Sequence, residues 1–78
     1  MDKLYKTKDL PEIAVFLIKK QKPVKVEQEN GIYWFTFNAK NTEKISNDYY
    51  YGELLVNARD FYETMKMLKG KIVASNGF

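Results

Sequence analysis

Cysteine and histidine are both missing from this sequence. With neither residue there is no disulfide and no thiolate or imidazole metal site of the zinc type. The Ser-His and Cys-His nucleophile pairs cannot be built either. A carboxylate-only site for magnesium or calcium needs clustered acids with loop glycines, and no such cluster occurs. No stretch approaches the roughly 20 apolar residues of a membrane span. The charged opening, Met1 to Lys8, is not followed by an apolar run of signal-peptide length, which leaves the cytoplasm as the expected setting. Arginine is nearly absent as well. Arg59 is the single arginine among thirteen basic residues, whereas readers of nucleic acid usually use its planar fork on phosphate and guanine.

What is present is a chain of 78 residues with aromatic side chains at 15%. That length allows one domain, over residues 1–78, which buries only about 60% of the surface its unfolded chain exposes. Without staples, stability must come from apolar packing, and the aromatic side chains supply the area. A carboxylate pair needs a cleft that separates its two pKa values, and so small a domain offers little room for one. The expectation is a protein that is not an enzyme and that uses no cofactor and no metal.

Residues 10–20 have the spacing of an amphipathic helix. Leu10, Ile13, Ala14, Leu17 and Ile18 fall on one helical face, and Phe16 lies off it, which implies a second contact. Thr7 or Asp9 is placed to cap the start, Pro11 suits the first turn, and Pro23 prevents continuation.

Residues 24–37 carry the clearest local signal. Asn30-Gly31 is the dipeptide that best accepts the positive φ angles of a type I′ turn between two strands. That turn fixes the register. Glu29 should face Ile32, Gln28 Tyr33, Glu27 Trp34, Val26 Phe35, Lys25 Thr36 and Val24 Phe37. One face then carries Val24, Val26, Phe35 and Phe37 and is the core. The other carries Lys25, Glu27, Glu29 and Thr36 together with Ile32 and Trp34, and a slip of one residue would exchange the two.

Thr42 is placed to cap a short helix running to about Tyr51, marked by Ile45 and Tyr49 and ended by Gly52. The brief apolar run at residues 53–56 reads as a third strand. Asn57 followed by Asp60 reads as the start of a last helix, with Phe61, Met65 and Leu68 on its buried face. Ile72 continues that face if Gly70 does not stop the helix, and residues 74–78 read as a frayed tail. Residues 4–6 are a candidate edge strand, and no internal repeat or linker is present. The expected fold is α+β, with element order (β)-α-β-β-α-β-α. A small antiparallel sheet containing a β-hairpin is packed on one face by two amphipathic helices, the first and the last. Its ordered part covers residues 4–72.

The runs Tyr5-Lys6-Thr7-Lys8-Asp9-Leu10, Tyr51-Gly52-Glu53 and Asn57-Ala58-Arg59-Asp60-Phe61 each precede an expected element. Together they resemble a family of small bacterial, archaeal and phage domains known only as a domain of unknown function. The resemblance covers roughly residues 4–72. It implies a compact α/β fold and a phage or mobile-element setting, and it supplies no activity and no catalytic residues.

Two functional expectations follow. The leading one is a small protein-interaction or regulatory module, with self-association as one form of it, in which Ile32 and Trp34 offer an aromatic anchor for a protein partner. The alternative is an accessory protein that binds nucleic acid without sequence preference. For that reading Lys19, Lys20, Lys22 and Lys25 would converge with Lys66 and Lys69 on phosphate, and Tyr50 would stack on bases. Net charge is only +3, a mild bias. The competing reading treats these lysines as a solvated face, interleaved with acids such as Glu12, Glu27 and Glu63, and places Tyr49 in the core.

Overall fold

In the computed structural model, which describes residues 3–74, Asn30 and Gly31 take φ angles of 53° and 80°. This is the tight turn the dipeptide favours. It joins β2 (Lys25–Glu29) to β3 (Ile32–Asn38) in the expected register, from Glu29 opposite Ile32 to Lys25 opposite Thr36. Val24 departs from it. Its amide donates to the Thr36 carbonyl at 2.8 Å, so Val24 and Lys25 both face Thr36, as in a β-bulge, and Val24 is left 62% exposed instead of joining the core opposite Phe37.

The candidate edge strand forms as β1 (Leu4–Thr7), antiparallel to β3, with Tyr5 opposite Phe37 and Thr7 opposite Phe35. The sheet order is β1-β3-β2, which makes β3 central. Residues 53–56 are not a strand. Their exposure alternates, with Leu54 and Val56 turned inward to share a groove with Val15, Tyr49 and Phe61 of the helices, and among the described residues no strand pairs with them.

Helix α1 (Leu10–Ile18) starts where Asp9 Oδ1 accepts the Glu12 amide at 3.0 Å, while Thr7 Oγ1 accepts the Asp9 amide at 3.1 Å. It ends in a Schellman motif: Lys20 N–H donates to Leu17 O and Gln21 N–H to Phe16 O, with Lys20 at φ 67°. The helix is less amphipathic than its periodicity implies. Glu12, Ile13, Ala14, Val15 and Phe16 are all buried, as befits a helix covered on nearly every side. Phe16 makes the second contact anticipated for it, with its ring edge-on to Phe37 at 4.7 Å and to Tyr5 at 6.1 Å.

Helix α2 (Ala39–Tyr50) begins three residues before the position Thr42 would cap. Asn38, the last residue of β3, caps it by accepting the Lys40 amide, and Thr42 is instead buried with its hydroxyl donating to the Asn38 carbonyl. A second Schellman motif closes α2 at Gly52, whose φ of 74° needs a glycine. Asn57 Oδ1 accepts the Asp60 amide at the start of α3 (Ala58–Ala74), which runs through Gly70. The expected tail from residue 74 is therefore helical at Ala74, and residues 75–78 lie outside those described.

Helix α2 packs on β1 and β3, α1 meets the sheet through the Phe16 ring on Phe37 and Tyr5, and α3, expected on the sheet, packs chiefly on α1. Ile13, Ala14, Val15, Phe16, Phe35, Phe37 and Leu68 form the core.

Candidate functional site

Three places on this fold could do chemistry or binding. The first is the outer face of the sheet. The register turns Leu4, Lys6, Lys25, Glu27, Ile32, Trp34 and Thr36 outward together. Trp34 is half-buried among lysine stems, with Lys6 Nζ 5.3 Å and Lys8 Nζ 5.6 Å from its ring centroid, within cation–π range. Ile32 beside it is 40% exposed. Acids neutralise much of this face: Lys25 meets Glu27 at 3.3 Å, and Lys6 lies 3.8 Å from Glu29 and 4.0 Å from Glu27.

The second is a buried polar cluster at the start of α1. The sequence reading placed Glu12 among solvated acids, yet it is fully buried. The Tyr5 hydroxyl donates to both of its carboxylate oxygens, at 3.0 and 2.9 Å, and the Ser46 hydroxyl donates to Oε2 at 2.8 Å. Next to it Tyr49 donates to Asp9 Oδ1 at 3.2 Å. Helix α2 is thereby fastened to α1 by hydroxyls at positions 46 and 49 of one helical face. Burial, then the hydrogen bond to Glu12, pushes the Tyr5 phenol well above its ordinary pKa. Burial, followed by the Asp9 charge, pushes Tyr49 up to about 12. Both phenols are therefore fixed donors at neutral pH. A small hollow of about 160 Å³, lined by Tyr5, Thr42, Glu43 and Ser46 among others, opens beside the cluster. Every buried polar side-chain atom among the described residues has a partner, so the cluster reads as a structural lock.

The third is an apolar groove of about 370 Å³ where the end of α2 and the start of α3 meet α1. Val15, Tyr49, Leu54, Val56, Ala58 and Phe61 line it, with Gly52 at its edge. Leu55 stands in the segment that forms its wall and is 86% exposed, and Tyr51 nearby is 79% exposed. A small-molecule site usually adds a few convergent polar groups to such a lining. Here the one phenol in the wall, on Tyr49, is already committed to Asp9.

The basic residues picked out in the sequence come from the exit of α1, from β2 and from α3. Lys19 and Lys22 are exposed at the exit of α1. Lys20 lines a hollow with Asp60 and Glu63 of α3. Lys66 and Lys69 line a separate hollow with Tyr62 and Met65, farther along α3. Tyr50 is exposed, its ring edge-on to Tyr49 at 5.0 Å, while the neighbouring Lys44 is held by Asp48 at 2.9 Å. Tyr49 packs against the core, as the competing reading had it.

Leu55, Lys8 and Glu12 were not singled out by sequence reasoning. Leu55 had a usable signal: three successive apolar residues, Leu54-Leu55-Val56, cannot all point inward from an extended segment. Among the described residues there is no group of acids that could hold a metal ion and no helix long and apolar enough to cross a membrane. Compared with protein-family models, with curated proteins and with solved structures, the chain matches none.

Proposed function

We propose that this protein is a small non-catalytic protein-interaction module whose contact face is the apolar groove between α1, the end of α2 and the start of α3. The observation that carries the proposal is Leu55. A leucine left 86% exposed beside a groove lined by Val15, Leu54, Val56 and Phe61 keeps apolar area in water. Covering one such side chain is worth about 1.5–3 kcal/mol, and a partner that seats its own apolar side chain in the groove gains a similar amount again. The resemblance of the Tyr5–Leu10 and Asn57–Phe61 runs to the small domain family supports a phage or mobile-element setting as part of this proposal.

The test is affinity capture from the source cell with matched variants. Leu55→Asp removes the exposed anchor without touching the core. Trp34→Ala alters the opposite side of the sheet. A partner lost with Leu55→Asp and retained with Trp34→Ala supports the groove, whereas equal capture by all three proteins contradicts it.

The Trp34 face favours a second reading, as a platform for single-stranded nucleic acid, because an aromatic ring with Lys6 and Lys8 beside it is a stacking arrangement. Against it, Lys25 and Lys44 are each paired with an acid. Titration with a generic oligonucleotide across a salt series tests it. Binding that weakens steeply with salt supports this reading, and no binding at low salt ends it.

A further inference from the structure

The sheet has two edge strands, β1 and β2. Helix α2 packs on β1 and β3 alike, whereas β3 is the only element in extensive contact with β2 among the described residues. The two-residue turn fixes which backbone groups of β2 are left over. Glu29, Glu27 and Lys25 exchange bonds with Ile32, Trp34 and Thr36, so the amides and carbonyls of Val26 and Gln28 point away from the sheet. An edge of this kind is a template for another strand. Proline is absent from it, and its charges, Lys25, Glu27 and Glu29, all stand on the outer face and alternate with Val26 and Gln28.

We propose that β2 pairs antiparallel with β2 of a second copy of this chain, across a two-fold axis at Val26. Three registers bring the free backbone groups of the two strands together, and charge chooses among them. An axis at Gln28 sets Glu27 opposite Glu29 twice. An axis at Glu27 sets Lys25 opposite Glu29 twice but also Glu27 opposite itself. An axis at Val26 sets Lys25 opposite Glu27 twice and opposes no like charges, which is the pairing that cross-strand electrostatics rewards. It also brings the two half-buried Val26 side chains together. Val26 amides then donate to Val26 carbonyls of the other copy, and Gln28 amides to Val24 carbonyls. The Val24 amide takes no part because Thr36 already holds it. The interface is isologous, and it joins two three-stranded sheets into one of six strands with both outer faces on the same side.

Sedimentation equilibrium on the full chain tests this with Lys25→Glu, Glu27→Lys and the double reversal, each checked for fold by far-UV circular dichroism. The expected result is a wild-type dimer, at least roughly tenfold weaker association for each single reversal, and recovery in the double, a tenfold change in Kd being about 1.4 kcal/mol. The sequence contains no cysteine, so Val26→Cys gives a second reading free of background: oxidation should link the two copies, and Gln28→Cys should not link. A wild-type monomer up to about 1 mM overturns the proposal, as do single reversals that associate like wild type. Neither outcome touches the groove, whose Leu55→Asp variant should dimerise normally.

Discussion

Replacing Glu12 by alanine should cost about 3 kcal/mol, whereas replacing it by glutamine should cost less than about 1 kcal/mol. The larger figure comes from the hydroxyls that the carboxylate receives. Tyr5 and Ser46 both donate to it, and stranding a buried donor costs about 1–3 kcal/mol. The adjoining hollow of about 160 Å³ can admit water to both hydroxyls, which puts each loss near the low end. Removing one buried methylene adds about 0.8 kcal/mol. Glutamine keeps the shape, its amide can both accept from and donate to the hydroxyls, and no ion pair among the described residues reaches Glu12 to be lost. It also removes the cost of burying a charge. In a domain of this size 1 kcal/mol moves Tm by about 4–8 °C, so the alanine variant should melt roughly 12–24 °C lower and the glutamine variant within about 8 °C of wild type. Calorimetry with urea titration measures both. A glutamine variant as unstable as the alanine one would show that charge and not hydrogen bonding holds the site, and an alanine variant within about 1 kcal/mol of wild type would refute the lock altogether.

Gly70→Ala should stabilise by about 0.5–1 kcal/mol, because the position is helical and exposed and an added Cβ meets nothing within 4 Å. Lys20→Gly should gain up to about 1 kcal/mol by relieving a left-handed conformation, while Gly52→Ala should lose about as much; urea midpoints check all three. Trp34→Ala should cost about 1–2 kcal/mol, well under the 3–5 of a core aromatic, and a loss beyond about 3 would place the indole in the core. Raising the pH should destabilise the fold above pH 10. Tyr5 and Tyr49 stay protonated in the folded chain past the 10.0 at which the unfolded phenols ionise, so their contribution is complete below that pH and drains away as pH climbs toward about 12. Tyr49→Phe should flatten part of that decline, and an unfolding free energy constant from pH 9 to about 12 would contradict it.

The hairpin was legible because Asn30-Gly31 leaves the chain one tight turn, and a tight turn leaves the flanking strands one register. That logic failed only at Val24, where a bulge, invisible to alternation, uncouples the residue from Phe37. Residues 53–56 show the limit of periodicity from the other side. Leu54 and Val56 do point inward together, but alternation records only which side is buried and not whether a strand or a helix does the burying. Helix α2 was located by Ile45 and Tyr49, yet its start was misplaced because Asn38 serves as both the last strand residue and the cap. Glu12 was read as solvated since carboxylates usually are. Only the tertiary arrangement brings Tyr5 from seven residues before it and Ser46 from far along the chain to receive it. The groove escaped for a related reason: its walls come from four separate segments, and only the Leu54-Leu55-Val56 run hinted that one apolar side chain had to face water.

The most direct test of the groove is site-specific photo-crosslinking, with a benzophenone side chain placed at position 55 and, as a control, at position 63 on α3. The expected result is a discrete protein adduct from position 55 that disappears when Phe61 in the groove wall is also replaced by serine, with none from position 63. Adducts of equal yield from both positions, or none from position 55 in cells that express the protein normally, would contradict the assignment of this groove as the contact face.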